Sequence, residues 1–204
     1  MKVILVNGSP RAGGCTYTAL CHVADALNEQ GVDTEIFQLG AKPVGGCVAC
    51  GQCRRLGGRC AFDDRVNEFL NLAETADGFV FGSPVYYASA NGSMVGFMDR
   101  VFYAGAKIFR LKPAACVVSA RRAGTTAALD QLNKYLTISE MPVISSCYWN
   151  MVHGFTPEDV NRDEEGVRIM RTLGRNMAWF LKCVEAARVP LPEKEPPAFT
   201  NFIR

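Results

Sequence analysis

The sequence has no long apolar run. Its amino end reads Met1-Lys2, then Val3, Ile4, Leu5 and Val6, and reaches Asn7-Gly8-Ser9-Pro10 far short of a secretion-signal core. Runs elsewhere, such as Ala114 to Val118, fall well below the roughly 20 residues needed to cross a bilayer. Neither a membrane partner nor secretion is expected, and the protein is expected in the cytoplasm. Charge of one sign is also missing. The 22 Lys and Arg are interspersed with 20 Asp and Glu, leaving a formal net charge of +2, so there is no one-sided basic face for a phosphate backbone and nucleic acid is not an expected partner. Neither a Ser-His-Asp nor a paired-carboxylate constellation is visible, and His153, alone in its loop, reads as structural. No internal repeat or interdomain linker appears, so residues 1–204 are expected to form one domain.

Within 204 residues, 49% hydrophobic, strand-length apolar runs alternate with stretches of helical periodicity. Five strands are predicted: Lys2 to Val6, Asp33 to Gln38, Gly78 to Phe81, Ala114 to Ser119, and Val143 to Cys147. Asp33 to Gln38 alternates and suits an edge; continuous apolar runs suit strands buried on both faces. Helical faces are predicted through Tyr17, Leu20, Cys21, Ala24 and Leu27; through Val66, Phe69, Leu70 and Ala73 after an Asp64 cap; through Met94, Phe97, Met98 and Val101; and through Leu129, Leu132 and Leu136. The longest helix is predicted from Asp163 to Ala187, with Met170, Leu173, Met177, Leu181 and Val184 facing the sheet. A tail, residues 189–204, carries four prolines and is expected over the surface or a neighbouring subunit. The fold class that follows is α/β: a flavodoxin-like three-layer sandwich with a five-stranded parallel sheet in the order 2-1-3-4-5. Its ligand edge lies at the carboxyl ends of strands one and three.

The first strand runs straight into Gly8-Ser9-Pro10-Arg11-Ala12-Gly13-Gly14-Cys15-Thr16-Tyr17-Thr18 before the first helix. Small residues let the backbone approach an anion, and the helix start supplies free N–H groups and a positive dipole. Ser9, Thr16 and Thr18 offer hydroxyls, Arg11 can balance charge, and Cys15 and Tyr17 complete the candidate binding run. A Walker loop would place Lys before the Ser or Thr, but Cys15 stands there, and the spacing misses GxGxxG. The competing reading is an ordinary tight strand-to-helix turn.

Gly8-Ser9-Pro10-Arg11 with the later Thr16, followed by Gly82-Ser83-Pro84-Val85-Tyr86-Tyr87 after the third strand, resembles the NADPH-dependent FMN reductase and iron–sulfur flavoprotein branch of the flavodoxin superfamily. The resemblance extends over roughly residues 1–147; many members carry Asn where this chain has Cys15. It implies FMN with its phosphate on the first loop and its ring against Pro84, Val85, Tyr86, Tyr87 and Asn91, in a loop that ends at Gly92, a further candidate. Packing of the loop alone is the competing role for either tyrosine. After the fourth strand, Ser119-Ala120-Arg121-Arg122-Ala123-Gly124-Thr125 reaches the same edge. Ser119, Arg121, Arg122 and Gly124 are candidates there. The arginines suit the flavin's pyrimidine end or a nicotinamide cofactor's phosphates, with two solvated surface arginines as the alternative. The run Trp149 to Gly154 is a candidate border.

Nine cysteines in a chain expected in the cytoplasm argue against a disulfide framework. Cys47, Cys50, Cys53 and Cys60 form CxxCxxCx6C in a cysteine-rich loop, residues 45–62, after the second strand. Successive CxxC steps are the ferredoxin style of wrapping a cluster. The resemblance implies a 4Fe–4S cluster on these four residues, expected on the flavin's side of the sheet; unmetallated thiols, zinc and a redox disulfide are the alternatives. Cys15, Cys21, Cys116, Cys147 and Cys183 read mainly as core. The implied activity is that of an FMN-dependent NAD(P)H oxidoreductase acting on a quinone, nitro or azo compound, free flavin or similar small-molecule acceptor. No catalytic side chain is required, since the flavin performs the chemistry. An electron carrier reduced by a ferredoxin-like protein and a thiol or metal sensor that retains the fold are the other two readings. A homodimer or larger homo-oligomer is implied.

Overall fold

The computed structural model describes residues 1–196, 198 and 200. β1 (Lys2–Asn7) leads through a glycine-rich loop into α1 (Cys15–Asn28), and β2 (Asp33–Gln38) follows. A long cysteine-bearing connection containing the single-turn α2 (Gln52–Arg55) precedes α3 (Arg65–Ala73) and β3 (Gly78–Tyr86). β3 folds back through β4 (Ser89–Ala90) before α4 (Gly92–Ala104) and the short α5 (Ala106–Phe109). Then come β5 (Ala114–Ala120), α6 (Thr125–Ile138), β6 (Met151–His153), α7 (Pro157–Arg162) and α8 (Glu164–Ala187).

The sheet runs β2-β1-β3-β5-β6 with every neighbouring pair parallel, and β4 pairs antiparallel with the end of β3. Counting the parallel strands alone, this is the 2-1-3-4-5 order expected from the sequence. The period of two sends alternate residues to opposite layers. Ile4, Val6, Phe79, Phe81 and Cys116 join α3, α4 and α6 on one face, whereas Val3, Leu5, Val80, Ala115 and Val117 pack against α1 and α8 on the other. Phe69 of α3 centres the first layer, with ring centroids of Phe37, Phe79, Phe81, Phe97 and Phe109 all within 6.4 Å. β2 is an edge strand, as its alternation predicts.

The structure departs from the sequence-based expectations at four places. The predicted fifth strand over Val143 to Cys147 reduces to a bridge between Val143 and Ala114, and β6 forms later, over Met151–His153. Between them Ser146 turns the chain: its hydroxyl donates to Tyr148 O at 2.6 Å and accepts from Tyr148 N at 3.4 Å. A serine satisfying the backbone locally competes with a ladder. β3 runs on to Tyr86, so the second motif is strand rather than loop. Val184 is 52% exposed, because α8 outruns the sheet in its last turns. Cys147 and Cys183 are exposed rather than core; of the five cysteines so read, Cys116 alone is fully buried. The described part of the tail is exposed, held where Arg110 donates to Pro192 O; residues 197, 199 and 201–204 lie outside the described residues.

Phe69→Ala is expected to cost about 3–5 kcal/mol, read as a lower urea midpoint at unchanged slope; a loss below 1 kcal/mol would contradict its central place in this layer.

Candidate functional site

In a parallel sheet all strands end at one edge, and here the loops leaving β1, β3, β5 and β6 meet in a cleft of about 260 Å³. It is lined by Ser9, Arg11, Gly14, Cys15 and Thr16 from the first loop, Pro84, Val85 and Tyr86 from β3, Ser119, Ala120 and Arg121 from β5, and Gly154 and Phe155 after β6. Larger cavities of about 790 and 420 Å³ flank α4 and α5. Convergence of loops and donors, rather than size, marks the site.

The first loop is shaped by a residue that the sequence reading passed over. Asn7, fully buried, accepts from Ser9 N at 3.1 Å and donates to Arg11 O at 3.3 Å and Gln38 Oε1 at 2.6 Å. Gln38 in turn donates to Ser9 O at 2.8 Å. A polar residue ending a run of buried aliphatics was the available signal. Gly14 caps α1 without a side-chain bond and no acid lies in the first turn. Among the described residues, the N–H groups of Cys15, Thr16 and Tyr17 find no backbone partner, and the Arg11 guanidinium makes no hydrogen bond or ion pair. Such a helix start draws an anion.

The hydroxyls divide differently from expectation. Ser9 Oγ accepts from Arg11 N at 3.2 Å and lines the cleft. Buried Thr16 pairs with Ser119 Oγ at 2.7 Å, stitching two loops together. Thr18 donates to Gly14 O at 3.2 Å and does not line the cleft. Tyr17, also outside the lining, lies by Cys21, which pushes its phenol up. Cys15 contacts Gly154 O at 3.6 Å as a weak donor. Burial pushes this thiol up from its ordinary value, with the field of Asp159 adding to the effect, so it is protonated at neutral pH and puts no negative charge beside the anion site.

Beyond β3 the chain makes a two-residue hairpin. Tyr86 pairs with Ser89, and the turn residues Tyr87 and Ala88 have φ of 51° and 59°, the positive values such turns require. Gln131 of α6 pins the return, accepting from Ser89 Oγ at 2.7 Å and Ala90 N at 3.0 Å. Tyr86 borders the cleft, while Tyr87 projects wholly into solvent. Asn91 is turned away: its carbonyl caps α4, accepting from Ser93 N at 2.8 Å and Met94 N at 3.4 Å. Gly92 begins that helix. Arg121 lines the cleft and Arg122 does not. Gly124, at φ +89°, supports the hairpin from below; a Cβ there would stand 2.6 Å from Ala88 Cα.

The cysteine loop takes another path. From β2 it descends α4, where a Cβ on Gly96 would stand 2.8 Å from Val44 O, and Cys53 reaches Tyr103 O at 4.0 Å. Cys47, Cys50, Cys53 and Cys60 line one recess of about 20 Å³ with Arg100 and Tyr103. At 1.5 Å per residue, Arg100 lies about 12 Å along the helix from Gly92, so the thiols sit down the helical face, displaced from the flavin edge where the sequence reading put them. Among the described residues no three His, Cys, Asp or Glu side chains stand close enough to hold a metal ion. The shared recess reflects the path of the backbone. The donor set fits a cluster, being four soft thiols with a buried cation beside them.

A family model described as NADPH-dependent FMN reductase matches residues 1–156. An iron–sulfur flavoprotein of Methanocaldococcus jannaschii is 30% identical over 193 residues, covering 91% of this chain and 100% of that protein. One from Clostridioides difficile is 25% identical, covering 100% and 87% respectively. Solved structures share the fold: RosB with bound 8-demethyl-8-formylriboflavin-5'-phosphate, at TM-score 0.71, 12% identity and coverage of 100% and 96%, and an NAD(P)H:quinone oxidoreductase from Methanothermobacter marburgensis, at TM-score 0.63, 20% identity and coverage of 87% and 96%. Among the described residues no helix is long and apolar enough to cross a membrane.

Gly124→Ala is expected to destabilise the chain by about 1 kcal/mol or more and, by displacing Ala88, to weaken flavin binding several-fold. Urea unfolding and flavin fluorescence titration check the two effects, and an unchanged affinity would remove the hairpin from the site.

Proposed function

The chain belongs to the NADPH-dependent FMN reductase family, and from that premise we propose that it takes reducing equivalents from NAD(P)H and delivers them through FMN to a small-molecule acceptor such as a quinone, a nitro or azo compound, or free flavin. Flavin-dependent oxidoreduction follows from the family itself. The observation that supports this placement of FMN is the start of α1: among the described residues, unpartnered N–H groups and an uncommitted Arg11 open on a cleft whose lining holds two arginines and no carboxylate. The residues fit a phosphorylated ligand on those grounds. FMN, when bound, supplies the redox chemistry.

In this reading the chain's own residues bind and orient. The N–H groups of Cys15, Thr16 and Tyr17, with Arg11, hold the phosphate, and Asn7 and Gln38 keep the loop in shape for it. Pro84, Val85 and Tyr86 offer a rigid apolar wall for the ring, stiffened by the hairpin behind them. Arg121 places positive potential at the cleft, which favours an anionic reduced ring. Tyr87, fully exposed at the hairpin tip, is available to cover a substrate or a neighbouring chain.

The four-thiol recess supports a second reading, an iron–sulfur flavoprotein electron carrier that a ferredoxin-like protein reduces. Cys47, Cys50, Cys53 and Cys60 would hold a 4Fe–4S cluster, which supplies one-electron transfer. A cluster there would pass electrons to the flavin of its own chain or, in a homodimer or larger assembly, to that of another subunit. The carrier and the reductase are separated by anaerobic addition of NADPH to purified protein. Bleaching of the flavin band within seconds supports the reductase; bleaching by reduced ferredoxin alone supports the carrier.

Arg11→Ala is expected to weaken FMN binding about tenfold or more, the scale of one charge-assisted hydrogen bond, and to leave riboflavin binding unchanged. Equal losses for the two ligands would remove Arg11 from the phosphate. Cys50→Ser is expected to abolish the cluster's visible absorption and EPR signal in anaerobically prepared protein; survival of both iron and signal would refute the four-thiol assignment.

A further inference from the structure

The four cysteines are unequally held. Cys47 and Cys50 are exposed, and Cys53 and Cys60 are half-buried, but Cys60 is held at its N–H, its carbonyl and its sulfur. Asn67, itself buried, accepts from Cys60 N at 2.8 Å and donates to Cys60 O at 2.9 Å. Arg100, 3% exposed, reaches across from α4. Its Nη1 and Nη2 donate to the two Asp64 carboxylate oxygens at 2.7 and 2.9 Å, and Nη2 also donates to Phe62 O at 3.2 Å. The remaining nitrogen, Nε, points its N–H at Cys60 Sγ from 3.3 Å. Asp64 is itself fixed, since Oδ1 caps α3 by accepting from Val66 N at 3.1 Å. The guanidinium therefore cannot turn away from the sulfur without breaking a fork that also anchors a helix.

We propose that Arg100 is a positioning residue for the cluster: it presents Cys60 as a preformed ligand and, through the Nε–H to Sγ bond, raises the cluster's reduction potential. The inference rests on the four-thiol reading above. Reduction adds one electron to the cluster from an external donor, with no bond made or broken and no proton taken up, and the added negative charge spreads onto the ligating sulfurs. A hydrogen bond to a ligating sulfur favours the reduced form. So does a cation lying where water screens it poorly. Arg is suited to the task because its planar fork clamps the carboxylate while its Nε–H remains for the sulfur; the single ammonium of Lys cannot do both.

The test compares the full-length protein with Arg100→Lys and Arg100→Gln after anaerobic reconstitution with iron and sulfide. The readouts are metal and sulfide content, dye-mediated redox titration followed by EPR with dithionite as reductant, and pulsed-EPR detection of an exchangeable proton coupled to the reduced cluster. The potential is expected to fall in the order native, Lys, Gln. For Arg100→Gln the ratio of reduced to oxidised cluster at fixed poise is expected to drop about tenfold, ~59 mV for a one-electron couple, with loss of the exchangeable-proton coupling. If Arg100→Gln does not fold, Arg100→Lys decides, since it keeps the charge and is expected to shift in the same direction by less. Native and Lys proteins with equal potentials and intact clusters would overturn the role of Arg100 and leave the cluster reading standing. Native protein that takes up neither iron nor sulfide would overturn both.

Discussion

A parallel sheet covered on both faces imposes one constraint from which the rest follows: every strand must end at the same edge, and every crossover must carry the chain back along a face. β1, β3, β5 and β6 deliver their loops to one cleft because they have no other place to end. The same rule sends α4 away from that cleft, and the connection that packs on α4 goes with it. The close approach of Val44 to Gly96 keeps this path tight. The cleft and the four cysteines are thereby separated along a single helix.

Each centre is built around a buried polar side chain, and the two use theirs in opposite ways. At the cleft, Asn7 and Gln38 satisfy the loop's own donors and acceptors, which leaves Arg11 and the helix N–H groups unspent. A loop stiffened from within binds without first having to be ordered. At the cysteines, both terminal nitrogens of Arg100 are committed to Asp64 and Phe62, and its Nε–H meets the sulfur. A cation held open recruits an anion from solution; a cation already paired sets the position and the field of its neighbour. Positive charge at both places is consistent with the phosphate and reduced-cluster charges that the proposed ligands carry.

Much of this was legible in the sequence. Continuous apolar runs gave the buried strands, and strand order followed from alternation of strand and helix; the glycine-rich segment after β1 and the compact cysteine spacing stood out by residue type alone. What escaped depended on side chains answering local backbone. Ser146 closes a turn on itself within an otherwise apolar stretch, so the fifth strand moved to Met151–His153. Asn91 caps a helix instead of facing the cleft, and Thr18 bonds one turn back to Gly14; both residue types make such bonds readily. The hairpin at Tyr87 and Ala88 carries no glycine at its positive-φ positions, so the usual turn signal was absent. Nor does periodicity reveal that α8 outruns the sheet, which is why Val184 reads as core and stands exposed.

On the four-thiol reading, the cysteine loop would be a site partly built before its ligand arrives. Three thiols belong to a loop with a single short helical turn, whereas the fourth is clamped through backbone and sulfur by residues of α3 and α4. Ordering all four in advance would bring thiols together that repel once ionised, with nothing to offset them. Leaving all four loose would load the whole conformational cost onto binding. One fixed sulfur beside one buried cation is an intermediate arrangement: on the four-thiol reading, a bound group would find Cys60 already in place and the rest of the loop still to be ordered. The Arg100–Asp64 pair is the structural requirement for this, because an unpaired guanidinium at that depth would be strongly destabilising. The carboxylate that caps α3 therefore also keeps the cation at the sulfur, and the stability of that helix is coupled to the geometry of the fourth cysteine.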